Sequence, residues 1–328
     1  MTTLRIGVLG AAAIAPGALL KPAREVDRVQ VVAVAARDRA RADEFASKWS
    51  IPIVHDTYEA VIADPEVDAI YNPLPNGLHA FWTIAALEAG KHVLCEKPLT
   101  SNTVQAREVA AAAARADRML MEAFHYRYHP LMVRAVEVAQ SGELGDLQHV
   151  ESWMQVPLFK RQDIRFDLAL GGGAVMDLGC YSIHQLRSLT GEEPTVLDAS
   201  AKERTPGVDR WMQADLAFPG GASGKFTVSL YGACLLRIGF RVVGSEGELR
   251  VFNPAGPHLL HRFSVRRNDG SSRREHFPRI PTYRYQLEAF RDAVIDGQPI
   301  LTGPSDSVAN MAVIDAVYQA AGLPIRPS

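Results

Sequence analysis

The 328-residue sequence is poor in the features that define several protein classes. It has only three cysteines, Cys95, Cys180 and Cys234, and no two are spaced as CxxC. An odd, scattered set excludes a disulfide framework and fits a reducing compartment, so a cytoplasmic location is expected. Net charge is equally scarce: 35 Lys and Arg against 37 Asp and Glu leave a formal −2. No global field draws such a chain to nucleic acid or to an acidic membrane surface, and neither partner is expected. No apolar run reaches the roughly 18 residues of a membrane span. Arg5 followed by Ile6–Ala15 is reminiscent of a short signal peptide, but a strand running into a Gly/Ala turn accounts for the same residues better. His125 and His129 have the spacing of zinc ligands on a helix. No Glu follows the first of them and no third ligand is evident, so no metal site is expected. Internal repeats and low-complexity linkers are absent too.

What is present is ordinary globular composition, 47% hydrophobic and 22% charged, over a length that suits two domains. Up to about residue 120, short β-branched runs alternate with helical patterns. Strands are expected at Leu4–Leu9, Val29–Ala35, Ile53–Val54, Ala69–Tyr71, His92–Cys95 and Met119–Met121. Helices are expected at Arg39–Trp49, Thr57–Ala63, Ala80–Ala89 and Thr103–Ala116. Such alternation implies right-handed crossovers and a parallel, doubly wound sheet. After residue 123 the pattern changes. A helix near Pro130–Ser141 leads into strands Asp146–Val156, Thr195–Glu203, Trp211–Phe218, Ala222–Tyr231, Arg237–Val243, Glu248–Phe252, Leu259–Arg266 and Ser272–Phe277. Short turns between them favour a mostly antiparallel sheet. Helices near Arg284–Asp296 and Ser305–Ala321 follow. The expected domains are 1–123, α/β and doubly wound, and 124–328, α+β with a large open sheet. A basic cluster, Arg262, Arg266, Arg267, Arg273 and Arg274, brackets the hairpin-turn residues Asn268-Asp269-Gly270 and is read as a solvated hairpin with charged edges.

The first strand runs into Gly10-Ala11-Ala12-Ala13-Ile14-Ala15. A dinucleotide-binding βα turn needs a Gly for its bend and small residues where backbone meets pyrophosphate. A helix N-terminus beyond it offers free N–H groups. Here the GxGxxG pattern is degraded, with Ala12 and Ala15 in place of the second and third glycines. The second strand leaves through Arg37-Asp38. Arg37 can pair bidentately with a 2′-phosphate and stack on adenine, while Asp38 either accepts a ribose hydroxyl or caps the next helix. This favours NADP over NAD. Leu74 and Asn76 follow the fourth strand, at the carboxyl edge where ligands of open α/β sheets lie. His79 either joins them or bonds to backbone.

The strand His92–Cys95 delivers Glu96-Lys97-Pro98 to the same edge. Together with the Gly10-x-Ala12 turn, Asn72-Pro-Leu-Pro-Asn76 and Gly171-Gly-Gly-Ala-Val-Met-Asp-Leu-Gly-Cys-Tyr181, this resembles the Gfo/Idh/MocA oxidoreductase family over essentially the whole chain. The run Glu122–Pro130, the degraded glycines and Arg37 are most similar to its branch of dihydrodiol dehydrogenases and NADP-dependent xylose dehydrogenases. The resemblance implies an N-terminal Rossmann domain and catalysis by Lys97 and Tyr181, with an ammonium favouring the phenolate of the tyrosine and the two titrating as a coupled pair. It also implies cofactor contacts from Glu96 and Lys97, a cis peptide before Pro98, and a homodimer or dimer of dimers built on the second sheet.

On a helix, Asp177, Tyr181 and His184 share a face. Asp177 is expected to orient substrate hydroxyls or the lysine, and His184 to bind substrate or pack in the helix. Arg165 is a further substrate candidate. The Gly171-Gly-Gly run can bring backbone close to a ligand. Trp153, Phe159 and Tyr283 are candidates for an apolar wall. The expected reaction is hydride transfer between nicotinamide and a secondary alcohol or hemiacetal carbon of a sugar, polyol or cyclic trans-diol. Two alternatives are a catalytically silent dinucleotide-binding regulator, against which the retained Lys97 and Tyr181 argue, and an enzyme recycling bound cofactor between two sugars.

Overall fold

A computed structural model describes residues 2–158, 163–230 and 236–327. Phe159, Tyr231 and Cys234 lie outside the described residues. The chain divides into two compact units: Met1–His125 with Tyr283–Val308, and Tyr126–Thr282 with Ala309–Ser328.

The first unit holds β1 (Leu4–Leu9), β2 (Val29–Ala35), α1 (Arg39–Trp49), β3 (Ile53–His55), α2 (Tyr58–Ala63), β4 (Ala69–Asn72), α3 (Asn76–Glu88), β5 (His92–Cys95), α4 (Thr103–Ala116) and β6 (Leu120–Glu122). All six strands are parallel, in the order β3-β2-β1-β4-β5-β6. Buried on both faces, the central strands are nearly all apolar, as parallel sheets require: Ile6, Val8, Ile70, Val93 and Leu94 are fully buried. The order reverses between β1 and β4, and at that switch point the carboxyl ends of the strands collect loops.

The crossover from β1 to β2 departs from expectation. In place of an α-helix it has a π-turn at Pro16–Leu20 and a 3₁₀ turn at Pro22–Arg24. Pro22 lacks an N–H and its ring clashes with a continuing α-helix, so a longer helix cannot run through it. The helix α3 starts at Asn76, earlier than expected, which places His79 in its first turn.

The second unit carries α5 (Pro130–Gln140), β7 (Leu147–Gln155), α6 (Cys180–Thr190), β8 (Thr195–Thr205), β9 (Val208–Ala217), β10 (Ser223–Ser229), β11 (Arg237–Gly244), β12 (Gly247–Phe252), β13 (Arg262–Arg267) and β14 (Ser272–Glu275). Its sheet runs β14-β13-β12-β11-β7-β10-β9-β8. Six of the pairings are antiparallel, and β7 with β10 is parallel. The basic hairpin β13–β14 is pinned by ion pairs: Arg273 binds Glu143 and Glu275, and Arg134 binds Glu275.

α7 (Thr282–Asp296) supplies its residues from Tyr283 onward to the first unit, and the boundary between units falls within α8 (Pro304–Ala320). A boundary drawn at 123/124 gives this returning segment to the second domain. The contacts that bring it back are non-local and carry no sequence signature. Glu122 N–H donates to Thr302 O (2.9 Å), the Thr302 hydroxyl donates to Glu122 O (2.7 Å), and Arg28 pairs with Asp296 (3.2 Å).

Candidate active site

Each unit presents its own group of candidate residues. In the first, the turn after β1 is set by Gly10, whose φ of +95° lies in the region that favours glycine. Its N–H donates to Ala35 O at the end of β2. Beyond it, the N–H groups of Ala12, Ala13 and Ile14 make no hydrogen bond to the rest of the chain among the described residues, and Ala13 and Ile14 are exposed. Three unengaged N–H groups on one turn are the donors that an anion-binding nest requires. The side chain of Arg41 donates to Ala11 O (2.8 Å) and braces the turn from α1.

The residues after β2 divide their duties. Asp38 is the N-cap of α1, accepting from Arg41 N–H. Arg39 is held by Asp43 and Asp56. Arg37 is exposed, and its guanidinium has no hydrogen bond or ion pair among the described residues. Beside it lies Tyr58, whose phenol pKa is raised by burial against the opposing charge of Arg37. The Tyr58 hydroxyl would stand 3.6 Å from a Cβ placed on Gly10. Tyr58 thus lines the same corner, although nothing in its sequence position, at the start of a short helix, marks it out.

The loops after β4 and β5 are locked together. Asn72 donates from its amide to His79 O and Thr83 Oγ1 and accepts from Leu74 N–H. His79 is fully buried, with Nδ1 2.8 Å from Pro98 O and Nε2 2.6 Å from Leu74 O. Burial lowers its pKa to about 4 against the opposing pull of the two carbonyls, so at neutral pH the ring donates its one N–H to one of them and only contacts the other. His79 therefore shapes the site by joining the two loops. Leu74 is buried beneath the glycine turn, its Cδ2 3.1 Å from the Gly10 Cβ position, and Asn76 opens α3 half-buried.

Glu96 accepts from the buried Tyr71 hydroxyl (2.8 Å), and burial raises the pKa of that phenol well above its usual value. The Lys97–Pro98 peptide is cis. Leu99 N–H donates to the Glu122 carboxylate (2.8 Å). Lys97, half-buried, is thus followed at once by backbone tied down at Pro98, by His79, and at Leu99, by Glu122.

In the second unit, Arg165 and Asp177 come together: the guanidinium donates to Asp177 Oδ2 (2.8 Å) and to Asp163 (3.1 Å). The charge of Asp177, ahead of that of Asp163, raises the Arg165 pKa. Asp177 lies on a π-turn, Val175–Gly179, that runs into α6. The wider turn alters the simple i,i+4 geometry between Asp177 and Tyr181. Tyr181 and His184 are both buried on α6.

The glycine run has a reason other than ligand approach. A Cβ on Gly172 would fall 2.7 Å from Arg165 O and Asp167 O, and one on Gly173 within 2.2 Å of Asp209 Oδ1. Asp209 belongs to a network that sequence reading misses. The fully buried pair Arg326–Asp209 (2.8 Å) is joined by the Tyr318 hydroxyl on Asp209 and by Arg326 on Gly172 O. The second Asp209 oxygen accepts from Val175 N–H and holds the start of the π-turn. The segment leading into α6 is thus held by residues some 30 and 150 positions away. Trp153 stacks with Arg237 (4.6 Å) and Tyr283 with His125 (4.0 Å).

Among the described residues no helix is long and apolar enough to cross a membrane, and no three His, Cys, Asp or Glu gather as metal ligands.

Family models match the sequence of both parts of the chain. Residues 4–124 match the model of the oxidoreductase family with an NAD-binding Rossmann fold, and residues 132–250 match the GFO/IDH/MocA C-terminal domain. The chain is 38% identical over 322 residues, 97% of both chains, to D-xylose 1-dehydrogenase (NADP(+)) 2 of Haloferax volcanii. The chain belongs to the Gfo/Idh/MocA family. It is an oxidoreductase of that family, with relatives in the expected branch. Trans-1,2-dihydrobenzene-1,2-diol dehydrogenase of Mus musculus is 36% identical over 61% of this chain and 60% of its own. Among solved structures, the 3-ketoreductase KijD10 of Actinomadura kijaniata, in complex with NADP and TDP-benzene, superposes with a TM-score of 0.90 at 28% identity over 97% of this chain and 98% of its own.

Proposed function

We propose that this chain is an NADP-dependent dehydrogenase or reductase acting on a secondary alcohol or hemiacetal carbon of a sugar, polyol or cyclic trans-diol. The observation that carries the cofactor choice is Arg37. It stands at the carboxyl end of β2 with its guanidinium unengaged, while Arg39 and Arg41 are occupied and the Asp38 carboxylate is used as a helix cap. A 2′-phosphate is the anion that such a position suits. The nest at Ala12–Ile14 fits the pyrophosphate, and Glu96 and Lys97 fit the nicotinamide end of the same sheet edge. The xylose dehydrogenase relative carries NADP in its name, and KijD10 was solved with it.

Bound NADP supplies the hydride acceptor or, in its reduced form, the donor. The chain's own residues handle the proton. We assign that step to Lys97, as hydrogen-bond donor to the substrate oxygen, and to Tyr181, as the phenol that takes or returns the proton. Asp177, held by Arg165, is assigned to substrate hydroxyls. A homodimer, or a dimer of dimers, on the exposed face of the second sheet and a cytoplasmic location complete the proposal.

The test is a panel of pyranoses and trans-diols with NADP, followed by nicotinamide absorbance. Lys97→Met and Tyr181→Phe should each lower kcat by about 10²–10⁴-fold and leave the fold and dinucleotide binding intact. Full activity in both variants rejects the assignment. Dinucleotide binding with no turnover across the panel favours the silent regulator.

A further inference from the structure

Three side chains of the second unit meet in one buried cluster around Tyr181. Tyr126, in the 3₁₀ turn His125–Tyr128, is fully buried. Its ring centroid lies 5.6 Å from that of Tyr181, with the planes inclined at 53°. Its hydroxyl oxygen is hydrogen-bonded to His184 Nδ1 at 2.5 Å, and the two rings meet edge to face at 5.7 Å. His184 is 1% exposed and follows Tyr181 by three residues on α6. One turn of helix therefore carries both the phenol and the anchor for the ring packed against it.

A phenylalanine would fill the same space without placing a hydroxyl in the interior. Burying a hydroxyl and an imidazole is costly unless they bond each other, and once bonded they fix direction as well as distance. Apolar packing alone lets a ring slide. Here the hydroxyl pins the Tyr126 ring, and the pinned ring limits the rotamers open to Tyr181.

We propose that Tyr126 and His184 are positioning residues for Tyr181, holding its phenol in the orientation from which it exchanges a proton with substrate. This rests on the reading of Tyr181 given above. It has His184 act through Tyr126 and requires neither residue to touch substrate. An acid/base group must be aimed closely, and a displacement of about 1 Å costs up to about 10²-fold in rate.

Tyr126→Phe keeps the ring and removes the bond, His184→Leu removes it from the other side, and His184→Asn keeps a hydrogen-bonding group near the Nδ1 position. Each variant is assayed with NADP and the panel compound that the parent protein turns over fastest. Tyr126→Phe and His184→Leu should each lower kcat about tenfold with KM for both substrates unchanged. The pH profile of kcat should shift, and His184→Asn should recover most of the loss. The double variant Tyr126→Phe/His184→Leu should be no slower than the slower single, because both remove one interaction. Unchanged kcat and pH profile in Tyr126→Phe, or losses that multiply in the double variant, would overturn the proposal. Should Tyr126→Phe not fold, the His184→Leu and His184→Asn pair carries the comparison, and equal activity in those two overturns it. Tyr181→Phe is run alongside. Full turnover there removes the role of Tyr181 and this inference with it, whereas an inactive Tyr181→Phe beside a fully active Tyr126→Phe removes this inference alone.

Discussion

Three consecutive side chains, Arg37, Asp38 and Arg39, show how charge alone misleads and geometry decides. All three are exposed at the end of β2, yet two are occupied by α1 and its neighbours and one is not. Replacing Arg37 by Ser should therefore cost kcat/KM with NADP about 10–100-fold, the worth of charged hydrogen bonds at about 1.5–3 kcal/mol. The same constant for NAD should move little, and steady-state kinetics with both cofactors measures the ratio. The position of Arg37 just beyond β2 was legible from the sequence because strand periodicity places it. The assignment of Asp38 between cap and ribose needed the Arg41 N–H to be located. Gly173 was legible as special, but its crowding was not: the side chains around its Cβ position, Asp209, Arg326 and Tyr318, are distant in sequence. With φ at +139° and those atoms in place, Gly173→Ala should lose roughly 2–6 kcal/mol, strain and overpacking together. Denaturant titration gives the number.

At the scale of elements, periodicity was a good guide wherever burial on one or both faces dictates residue type. The bounds of β1, β2, β5, α1 and α4 fall as expected. It failed where proline or polar networks override it. Pro16 and Pro22 replace the first crossover helix by two short turns, and the π-turn at Val175–Gly179 takes its start from an interior carboxylate. The parallel pairing of β7 with β10 likewise has no local signature. That carboxylate offers a prediction about an element. Asp209→Asn keeps shape but strands the buried guanidinium of Arg326, and breaking such a pair costs about 3–5 kcal/mol. The loss should show as a lower urea midpoint. Tyrosine fluorescence near α6 should change at denaturant concentrations where the parent protein is native.

For the molecule as a whole, the buried His79 ties stability to pH. Its folded pKa of about 4 lies below the ordinary histidine value near 6.5. Between those two values the unfolded chain binds the proton more readily, so stability is fully present above about pH 6.5 and declines as pH falls toward 4. The full change amounts to roughly 3 kcal/mol. Urea midpoints measured across this window should slope downward with acid, and His79→Gln should flatten the slope. Two architectures were legible from the change of pattern near residue 123. The return of the segment beginning at Tyr283 was not, because the bonds of Thr302 to Glu122 and of Arg28 to Asp296 link positions more than 150 residues apart.

That return sets an order of events during synthesis. The first unit is encoded in two pieces separated by the residues from Tyr126 to Thr282. While the ribosome is still translating the second sheet, the emerged dinucleotide-binding half has no partner for the Glu122 backbone and no acid for Arg28. It must persist incompletely closed until Asp296 and Thr302 emerge. A fragment released at His125 would retain its glycine turn and Arg37 and still lack that closing segment. Nascent chains of increasing length should therefore gain protease resistance in the first unit late, after about 300 residues plus the length held in the ribosome tunnel, and not when β6 is complete.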